Sequence, residues 1–274
     1  MSTQSATSGG DAYAPKAIAQ RVRDIGVTKA RTDVITLFVL AGLAGAFISL
    51  GALFFTVVVT DPTGGFGVTR LLGGLAFSLG LILVVVAGAE LFTGNNLVAM
   101  AWASRMISTA ELARNWVVVY IGNAAGALGT VVLVRIANVD EFGGGAVGEK
   151  TMAIAESKAA LDVPEAIALG ILCNALVCLA VWLTLAGHTV TDKILAVIFP
   201  ITAFVAIGFE HSIANMFFLP YAVALDGFND SALITDTLIN IGAVTVGNII
   251  GGTLLVAAVY WTAYLRNDGK SVES

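Results

Sequence analysis

The sequence predicts an all-α membrane protein of six transmembrane helices arranged as an inverted 3+3 repeat, with the second and fifth helices interrupted. Three observations predict this fold class: the composition is strongly apolar, the apolar runs have the length of membrane helices, and two of these runs end in a polar break. Of the 274 residues, 57% are hydrophobic and 12% are charged, and the mean hydropathy is +0.89. A soluble domain carries about twice that charged fraction.

The six spans are uncharged apolar segments. About 20 apolar residues are needed to cross a bilayer as a helix. Two shorter apolar segments, 91–104 and 212–225, directly follow the second and fifth spans and fall below that length. We therefore predict six transmembrane helices, of which two are interrupted. The spans lie at 34–60, 71–89, 115–134, 166–187, 194–209 and 237–265.

Both interruptions carry a glutamate beside a glycine. Glu90 lies in the segment GAELFTGNN at 88–96, and Glu210 lies in the segment GFEHSIAN at 208–215. An ionisable side chain at membrane depth costs several kcal/mol, so each glutamate must face protein or water. We expect Glu90 and Glu210 to accept hydrogen bonds from backbone donors of the loops and to hold the breaks in place.

The two halves of the chain share a motif after each interruption. Helix three carries GNAAG at 122–126, and helix six carries GNIIG at 247–251. With three spans per half, the second half inserts upside down, and inverted repeats with matching interrupted helices recur in transporters and channels. We interpret the glycines as helix-packing positions. Asn123 and Asn248 are expected to hydrogen-bond the broken backbone across the repeat.

The distribution of lysine and arginine predicts that both termini are cytoplasmic. Ten basic residues fall on the side of the termini and four on the other side, as the positive-inside rule requires. The chain then divides into a cytoplasmic N-terminal segment (1–32), a six-helix domain (33–266) and a cytoplasmic tail (267–274). The ten residues are Lys16, Arg21, Arg23, Lys29, Arg31, Arg105, Arg114, Lys193, Arg266 and Lys270, and the four are Arg70, Arg135, Lys150 and Lys158.

We expect no leader, disulfide framework, metal site or cofactor. The first 32 residues lack the apolar core and cleavage site of a signal peptide, so the first span is expected to direct insertion. Cys173 and Cys178 lie five residues apart in one span and point to different helix faces, so they are not expected to pair. No second histidine or carboxylate lies at ligand spacing with His211, which argues against a metal site.

Six stretches carry recognisable motifs: GAELFTGNN (88–96), NWVVVYIGN (115–123), GILCN (170–174), FPITAF (199–204), GFEHSIANMF (208–217) and VTVGN (244–248). Together they resemble the formate/nitrite transporter family of anion channels, and the chain is most similar to its formate branch. The resemblance runs from about residue 13 to residue 266. It implies a homopentamer in the cell (inner) membrane, in which each protomer has its own pore and an aquaporin-like arrangement of helices.

The resemblance implies that His211 and Thr93 line the pore. A lone histidine in an apolar stretch is generally a core residue, but His211 lies in a polar break beside Glu210 and matches the family's pore histidine. Thr93 matches the threonine that the second-helix loop presents to it, although a threonine bound to its own loop backbone is a common alternative. Asn174 matches a buried asparagine near the pore, and Lys158 matches a vestibule lysine that would draw anions to the mouth.

Four apolar residues match the two hydrophobic constrictions of the family. Phe77 and Leu81 recur at helical spacing before the first break, Leu91 lies within it, and Phe204 lies near the end of the fifth span. An apolar stripe is by itself more often core than constriction. The resemblance pairs Leu91 with Phe77 at the outer constriction and Leu81 with Phe204 at the inner one.

The function that the resemblance implies is a channel or transporter for small monovalent weak-acid anions. Formate is the first expectation, and a nitrite or hydrosulfide channel of the same family is the alternative, with acetate and lactate also open. Proton coupling through the pore histidine is a hypothesis. The expected partners are the anion, protons and membrane lipid, and no nucleic acid is expected.

Two other classes of function make requirements that the sequence does not meet. A water or glycerol facilitator should carry two Asn-Pro-Ala-like half-helix motifs, and none occurs in this chain. An intramembrane enzyme would need a nucleophile and a base facing each other, or a metal cluster. His211 and Ser212 are adjacent in sequence and do not face each other across a site, so no enzymatic activity is expected.

Overall fold

The computed structural model describes residues 12–61 and 64–267, and within these ranges the chain is helical without any strand. Lys270, the tail beyond residue 267 and the first 11 residues of the predicted N-terminal segment lie outside the described residues. The α-helices are α1 (Pro15–Arg31), α2 (Val34–Thr60), α3 (Gly65–Ala87), α4 (Phe92–Asn95), α5 (Ala99–Ala103), α6 (Thr109–Ile136), α7 (Ala146–Ala159), α8 (Val163–Thr184), α9 (Val190–Ile207), α10 (Ser212–Leu225), α11 (Ser231–Ile250) and α12 (Val259–Tyr264).

In the described part of the chain, six helical stretches are long and apolar enough to cross a membrane: α2, α3, α6, α8, α9 and the run from α11 through α12. The predicted number of spans and the all-α class are confirmed. Several of these helices begin earlier than predicted, at Gly65, Thr109, Val190 and Ser231. The predicted spans began directly after a charged residue. A helix can extend past such a residue, because a long charged side chain near a helix end reaches the aqueous interface while its stem covers apolar surface.

One helix was absent from the sequence prediction. Helix α7 lies between the third and fourth membrane helices and packs its Ala155 against Leu219 and Ala222 of α10. Charged and apolar residues alternate irregularly along it, so no uncharged apolar segment marked it. The helix matters for the site because Lys158 lies in its last turn.

Helices α3 and α9 end in the same way, and a second helix follows each of them after a few residues. Helix α3 ends at Gly88 with φ +84°, and α9 ends at Gly208 with φ +97°, both in the left-handed region that favours glycine. Each glycine donates its N–H to a carbonyl four residues back, at 3.1 Å. Extended residues follow, and a second helix, α4 or α10, then begins at Phe92 or Ser212.

Asn123 of α6 satisfies the backbone of the first break. Its Oδ1 accepts from the N–H of Phe92 at 2.9 Å, and its Nδ2 donates to the carbonyls of Glu90 at 2.9 Å and Ala41 at 2.8 Å. The N–H of Glu90 donates to the carbonyl of Leu40 on α2 at 3.2 Å. One buried side chain therefore fixes both ends of the break to α2 and α6.

Asn248 of α11 makes the corresponding contacts at the second break. Its Oδ1 accepts from the N–H of Ser212 at 2.9 Å, and its Nδ2 donates to the carbonyls of Glu210 at 3.0 Å and Gly170 at 2.8 Å. The N–H of Glu210 donates to the carbonyl of Leu169 on α8 at 3.4 Å. Each bond has a counterpart in the first half, as an internal repeat predicts. The inverted orientation of the two halves stays a prediction.

The helices that carry these asparagines lie very close to their neighbours. A Cβ at Gly126 of α6 would overlap the carbonyl oxygen of Gly42 on α2, and a Cβ at Gly251 would overlap the carbonyl oxygen of Ile171 on α8. The glycines of both Gly-Asn-x-x-Gly motifs are thus helix-crossing positions. Beyond the second motif the helix widens into a π-helical segment, Gly251–Ala258, before α12.

The close crossing of α2 and α6 predicts that Gly126→Ala destabilises the protein. The added methyl group must push the two backbones apart, which costs about 1–3 kcal/mol in a well-packed core. Gly129→Ala on the same helix is the matched control, because a Cβ there meets no atom within 4 Å. Thermal unfolding of the purified protein, followed by tryptophan fluorescence, should show a lower Tm for Gly126→Ala only. Equal Tm values for the two variants would contradict the prediction.

The contacts of Asn248 predict that Asn248→Ala is strongly destabilising. The substitution leaves the N–H of Ser212 and the carbonyl of Glu210 without the partners that Asn248 supplies inside the membrane. Each buried unsatisfied group costs about 1–3 kcal/mol. We expect a much lower yield of folded protein and a lower Tm, measured on the detergent-purified variant.

Thr130→Ala is the control for this experiment. The Thr130 hydroxyl is buried, but it binds only the carbonyl of Gly126 in its own helix, at 2.9 Å, so its loss leaves no broken backbone exposed. Asn123→Ala should resemble Asn248→Ala. If Asn248→Ala were as stable as Thr130→Ala, the asparagine would not be what holds the break.

Candidate functional site

Thr93 and His211 meet where the two breaks face each other. The Oγ1 of Thr93 lies 2.9 Å from the Nε2 of His211, and the two residues are 0% and 3% exposed. His211 also caps α10, because its Nδ1 accepts the N–H of Ala214 at 3.1 Å. The neutral ring therefore carries its proton on Nε2 and donates it to the Thr93 oxygen. The Thr93 hydroxyl then has its own proton to donate to a third group.

The backbone of Thr93 is held by α8. Its carbonyl accepts from the Nδ2 of Asn174 and from the Sγ of Cys178, each at 3.3 Å. The same Nδ2 of Asn174 donates to the carbonyl of Asn248 at 2.6 Å. Asn174 thus links the backbone of Thr93 to α11, the helix whose Asn248 side chain binds the second break. Cys178 was not predicted to belong to the site, since a cysteine in an apolar span gives no sequence signal of such a contact.

Two cavities open on either side of this pair. We name the first the Lys158 cavity: its volume is about 260 Å³, and Lys158, Arg70, Phe77, Phe204 and His211 line it. It lies against the first half and the middle of α3, since Arg70 comes from the first half of that helix and Phe77 from its middle.

The second cavity, which we name the Lys29 cavity, also has a volume of about 260 Å³. Lys29, Leu81, Leu91, Gly94 and Lys193 contribute to its lining. Leu81 and the helix end at Gly88 come from the second half of α3, so the two cavities lie towards opposite ends of that helix. The Thr93–His211 pair lies between them, with His211 in one wall and the neighbours of Thr93 in the other.

The four predicted constriction residues are paired differently from the expectation. Phe77 and Phe204 contact each other edge to face, with ring centroids 5.6 Å apart, and both line the Lys158 cavity. Leu81 and Leu91 both line the Lys29 cavity. The predicted pairs, Leu91 with Phe77 and Leu81 with Phe204, are wrong. Phe77 and Leu81 are one turn apart on α3, and the elements packed against that helix decide which cavity each one lines.

Glu90 and Glu210 lie at the breaks, but their carboxylates bind side chains and not the loop backbone. At the first break, Glu90 accepts from the Nζ of Lys29 at 2.8 Å and from the Nδ2 of Asn95 at 2.7 Å. Asn95 continues to Asn115, whose Nδ2 donates to the carbonyl of Lys29 at 3.0 Å. The prediction that this glutamate binds backbone donors is therefore corrected: it binds a lysine and an asparagine.

The second break has the same arrangement. Glu210 accepts from the Nζ of Lys158 at 2.8 Å and from the Nδ2 of Asn215 at 2.6 Å. Asn215 continues to Asn240, whose Nδ2 donates to the carbonyl of Lys158 at 2.8 Å. Neither asparagine pair was predicted from the sequence. One signal was available, because an asparagine follows each glutamate by five residues.

The pairing with Glu210 changes what Lys158 offers to an anion. Lys158 is largely buried, and its ammonium lies 5.4 Å from the ring of Phe218 as well as against the carboxylate. A carboxylate 2.8 Å away cancels most of the positive potential beyond the pair. Lys158 lines the Lys158 cavity, but it is not a free charge, and its part in drawing anions to a mouth stays a prediction.

The second histidine of the chain lies outside this centre. His188 contacts Tyr13, with ring centroids 4.4 Å apart, near the start of α9 and in neither of the two cavities. Within residues 12–61 and 64–267, no group of three metal-ligating side chains occurs. Cys173 and Cys178 are both free thiols.

Comparison with known proteins gives a consistent result. A sequence profile described as "Formate/nitrite transporter" matches residues 16–262. The "Formate channel FocA" of Escherichia coli (strain K12) is 42% identical over 278 aligned positions, which cover 94% of this chain and 96% of the relative.

Two solved structures share the fold. A "Pentameric formate channel with formate bound" is 40% identical, with a TM-score of 0.73 over 85% of this chain and 98% of that chain. An "FNT family ion channel" is 27% identical, with a TM-score of 0.79 over 90% and 98% of the two chains. Together with the family match, these likenesses confirm the resemblance that the sequence motifs predicted, and this multi-pass membrane protein belongs to the formate/nitrite transporter family.

Proposed function

We propose that this protein is a membrane channel for small monovalent weak-acid anions and that formate is its substrate. The observation that carries the proposal is the buried Thr93–His211 pair, which lies between two cavities at opposite ends of α3. Relatives of 42% and 36% identity are named formate channels, and a similar solved structure holds formate. No step of covalent chemistry is required of the site, so we propose no enzymatic activity.

Apolar constrictions on both sides of the pair decide in which form the substrate crosses. Phe77 and Phe204 narrow the Lys158 cavity, and Leu81 and Leu91 line the Lys29 cavity. A bare carboxylate is too costly to transfer into such a medium without compensation. A weak acid avoids this cost when it is protonated. We propose that the anion enters a mouth, gains a proton there and passes the constriction as the neutral acid.

The hydrogen bonds of His211 favour water of the mouth as the source of that proton. The Nδ1 of His211 is occupied as acceptor for the N–H of Ala214. A relay through a doubly protonated ring would turn this acceptor into a donor and leave the N–H of Ala214 without a partner. The pair instead presents the Thr93 hydroxyl, which can donate to the acid once the acid has crossed a constriction. Direct proton coupling through His211 stays the alternative.

The proposed assembly is a homopentamer in the cell (inner) membrane with both termini cytoplasmic. The similar solved formate channel is pentameric, and the described outer surface is rich in exposed apolar side chains, such as Ile35 at 78% and Phe199 at 76% exposure. Such a surface suits contact with lipid and with other copies of the chain. In this arrangement each protomer carries its own pathway.

The proposed substrate predicts the selectivity of transport. In proteoliposomes, the wild-type protein should conduct formate. If it is instead a nitrite or hydrosulfide channel, it should conduct one of those anions and not formate. Glycerol should not pass measurably, because the constrictions are apolar and a neutral polyol cannot shed its hydration as a weak acid does. Stopped-flow light scattering with formate, nitrite and glycerol measures the flux. Glycerol flux without anion flux would overturn the proposal.

The two sources of the proton predict different pH profiles for His211→Phe. The phenyl ring keeps the volume and removes both nitrogens, so Thr93 loses its donor and α10 loses its cap. If water of the mouth supplies the proton, the selectivity between anion and acid should change while the pH dependence of formate flux stays as in wild type. If the proton passes through His211, the ratio of the fluxes between about pH 4 and about pH 8 should change by about tenfold or more relative to wild type.

His188→Phe is the matched control, because it alters the chain's other described histidine, outside the two cavities, and should leave the pH profile as it is. Thr93→Val should resemble His211→Phe, since it removes the same bond from the other side. An unchanged pH profile and unchanged selectivity in His211→Phe would exclude a part for the pair in proton supply.

A further inference from the structure

The charges that line the two cavities follow one rule. The Lys158 cavity contains the Lys158–Glu210 ion pair and one additional cation, Arg70. The Lys29 cavity contains the Lys29–Glu90 ion pair and one additional cation, Lys193. In each cavity, then, one lysine is neutralised and one basic side chain is left over.

Arg70 is fixed in the lining of the Lys158 cavity. Its Nε donates to the carbonyl of Ala206 near the end of α9, at 2.8 Å. One terminal nitrogen lies against Gly208, where a Cβ would approach it to 2.7 Å. Glycine at 208 is favoured by its positive φ, and the guanidinium packs against it. The described part of the chain gives the terminal nitrogens of Arg70 no carboxylate partner, so they remain available to an anion.

Lys193 occupies the corresponding place in the Lys29 cavity. It lies in the first turn of α9 and is half-buried. Among residues 12–61 and 64–267 its ammonium has no ion-pair partner within 4.0 Å, although Asp192 is its neighbour in sequence. The carboxylate of Asp192 is instead occupied by the N–H groups of His188 and Thr189, at 2.9 and 2.8 Å.

We infer that Arg70 and Lys193 are the anion-recruiting charges of the two mouths, while Lys158 and Lys29 hold the breaks through their glutamates. This inference rests on the proposed anion channel function and assigns residues to its first step. The chemistry fits a monovalent carboxylate: Arg70 offers a planar guanidinium with free donors, and Lys193 offers a compact ammonium.

The test is unidirectional formate flux in a planar bilayer with the protein inserted in one orientation and formate on one side only. Arg70→Gln should raise the half-saturating formate concentration about threefold to tenfold for entry from one side. Lys193→Gln should do the same for entry from the other side. The maximal flux of both variants should stay within about twofold of wild type, because neither residue lies at a constriction.

Salt and a conservative variant separate recruitment from a structural role. At about 1 M salt the Debye length is about 3 Å, so the difference between each variant and wild type should vanish. Arg70→Lys keeps the charge and should retain most of the wild-type affinity. Lys150→Gln is the matched control, since Lys150 lies on α7 outside both cavities, and it should change neither side.

Three outcomes would overturn the inference: unchanged half-saturation in both variants, effects of both on the same side, or effects that persist at high salt. If Arg70→Gln did not fold, Lys193→Gln would still test the sidedness of recruitment and Arg70→Lys would still test the need for charge. Failure of the proposed function is distinguishable, because the wild-type protein would then carry no formate flux at all.

Discussion

The structure depends on hydrogen-bond partners for the free backbone groups at the two breaks inside the membrane. Where a helix is interrupted at membrane depth, its free N–H and C=O groups have no water to bind, and each costs several kcal/mol if it is left alone. Asn123 and Asn248 solve this at the two breaks, because an amide side chain offers an acceptor and two donors at once. A serine or threonine hydroxyl has only one proton to donate. It could bind one carbonyl and one N–H of the break, but it could not also donate to the carbonyl of the neighbouring helix.

The same requirement determines where functional groups can lie. Because the asparagines bind the backbone of each break, the side chains there can make other contacts. Thr93 and His211 contact each other in this way. The scaffold of the two halves is matched bond for bond, but the residues that it presents are unequal. One further inequality lies in the ion-pair networks. Asn95 Oδ1 accepts from Lys29 at 2.9 Å, whereas Asn215 Oδ1, which is buried, has no partner among the described residues.

The sequence predicted what depends on local pattern and failed where distant segments meet. Apolar length marked the six spans, and the repeated motif around Asn123 and Asn248 marked the residues that bind the breaks. The ion pairs join residues 61 and 52 positions apart, so no spacing rule could assign Lys29 to Glu90 or Lys158 to Glu210. Helix α7, which carries Lys158, contains no apolar run from which it could be predicted. The constriction pairs failed for a similar reason, since helical spacing cannot say which neighbour packs against each turn.

In the proposed channel, the neutralised lysines would let a mouth attract an anion without retaining it. Conduction requires binding that is favourable enough for entry and weak enough for release. A bare ammonium as buried as Lys158 would hold a carboxylate strongly, since two unit charges 4 Å apart interact by about 4 kcal/mol at an effective dielectric constant of about 20. With Glu210 beside it, the pair has little net field, and its two charges still fix the break to α7. In this proposal, the net positive charge of the mouth resides on Arg70, which has no carboxylate partner among the described residues, and the anion can leave it again.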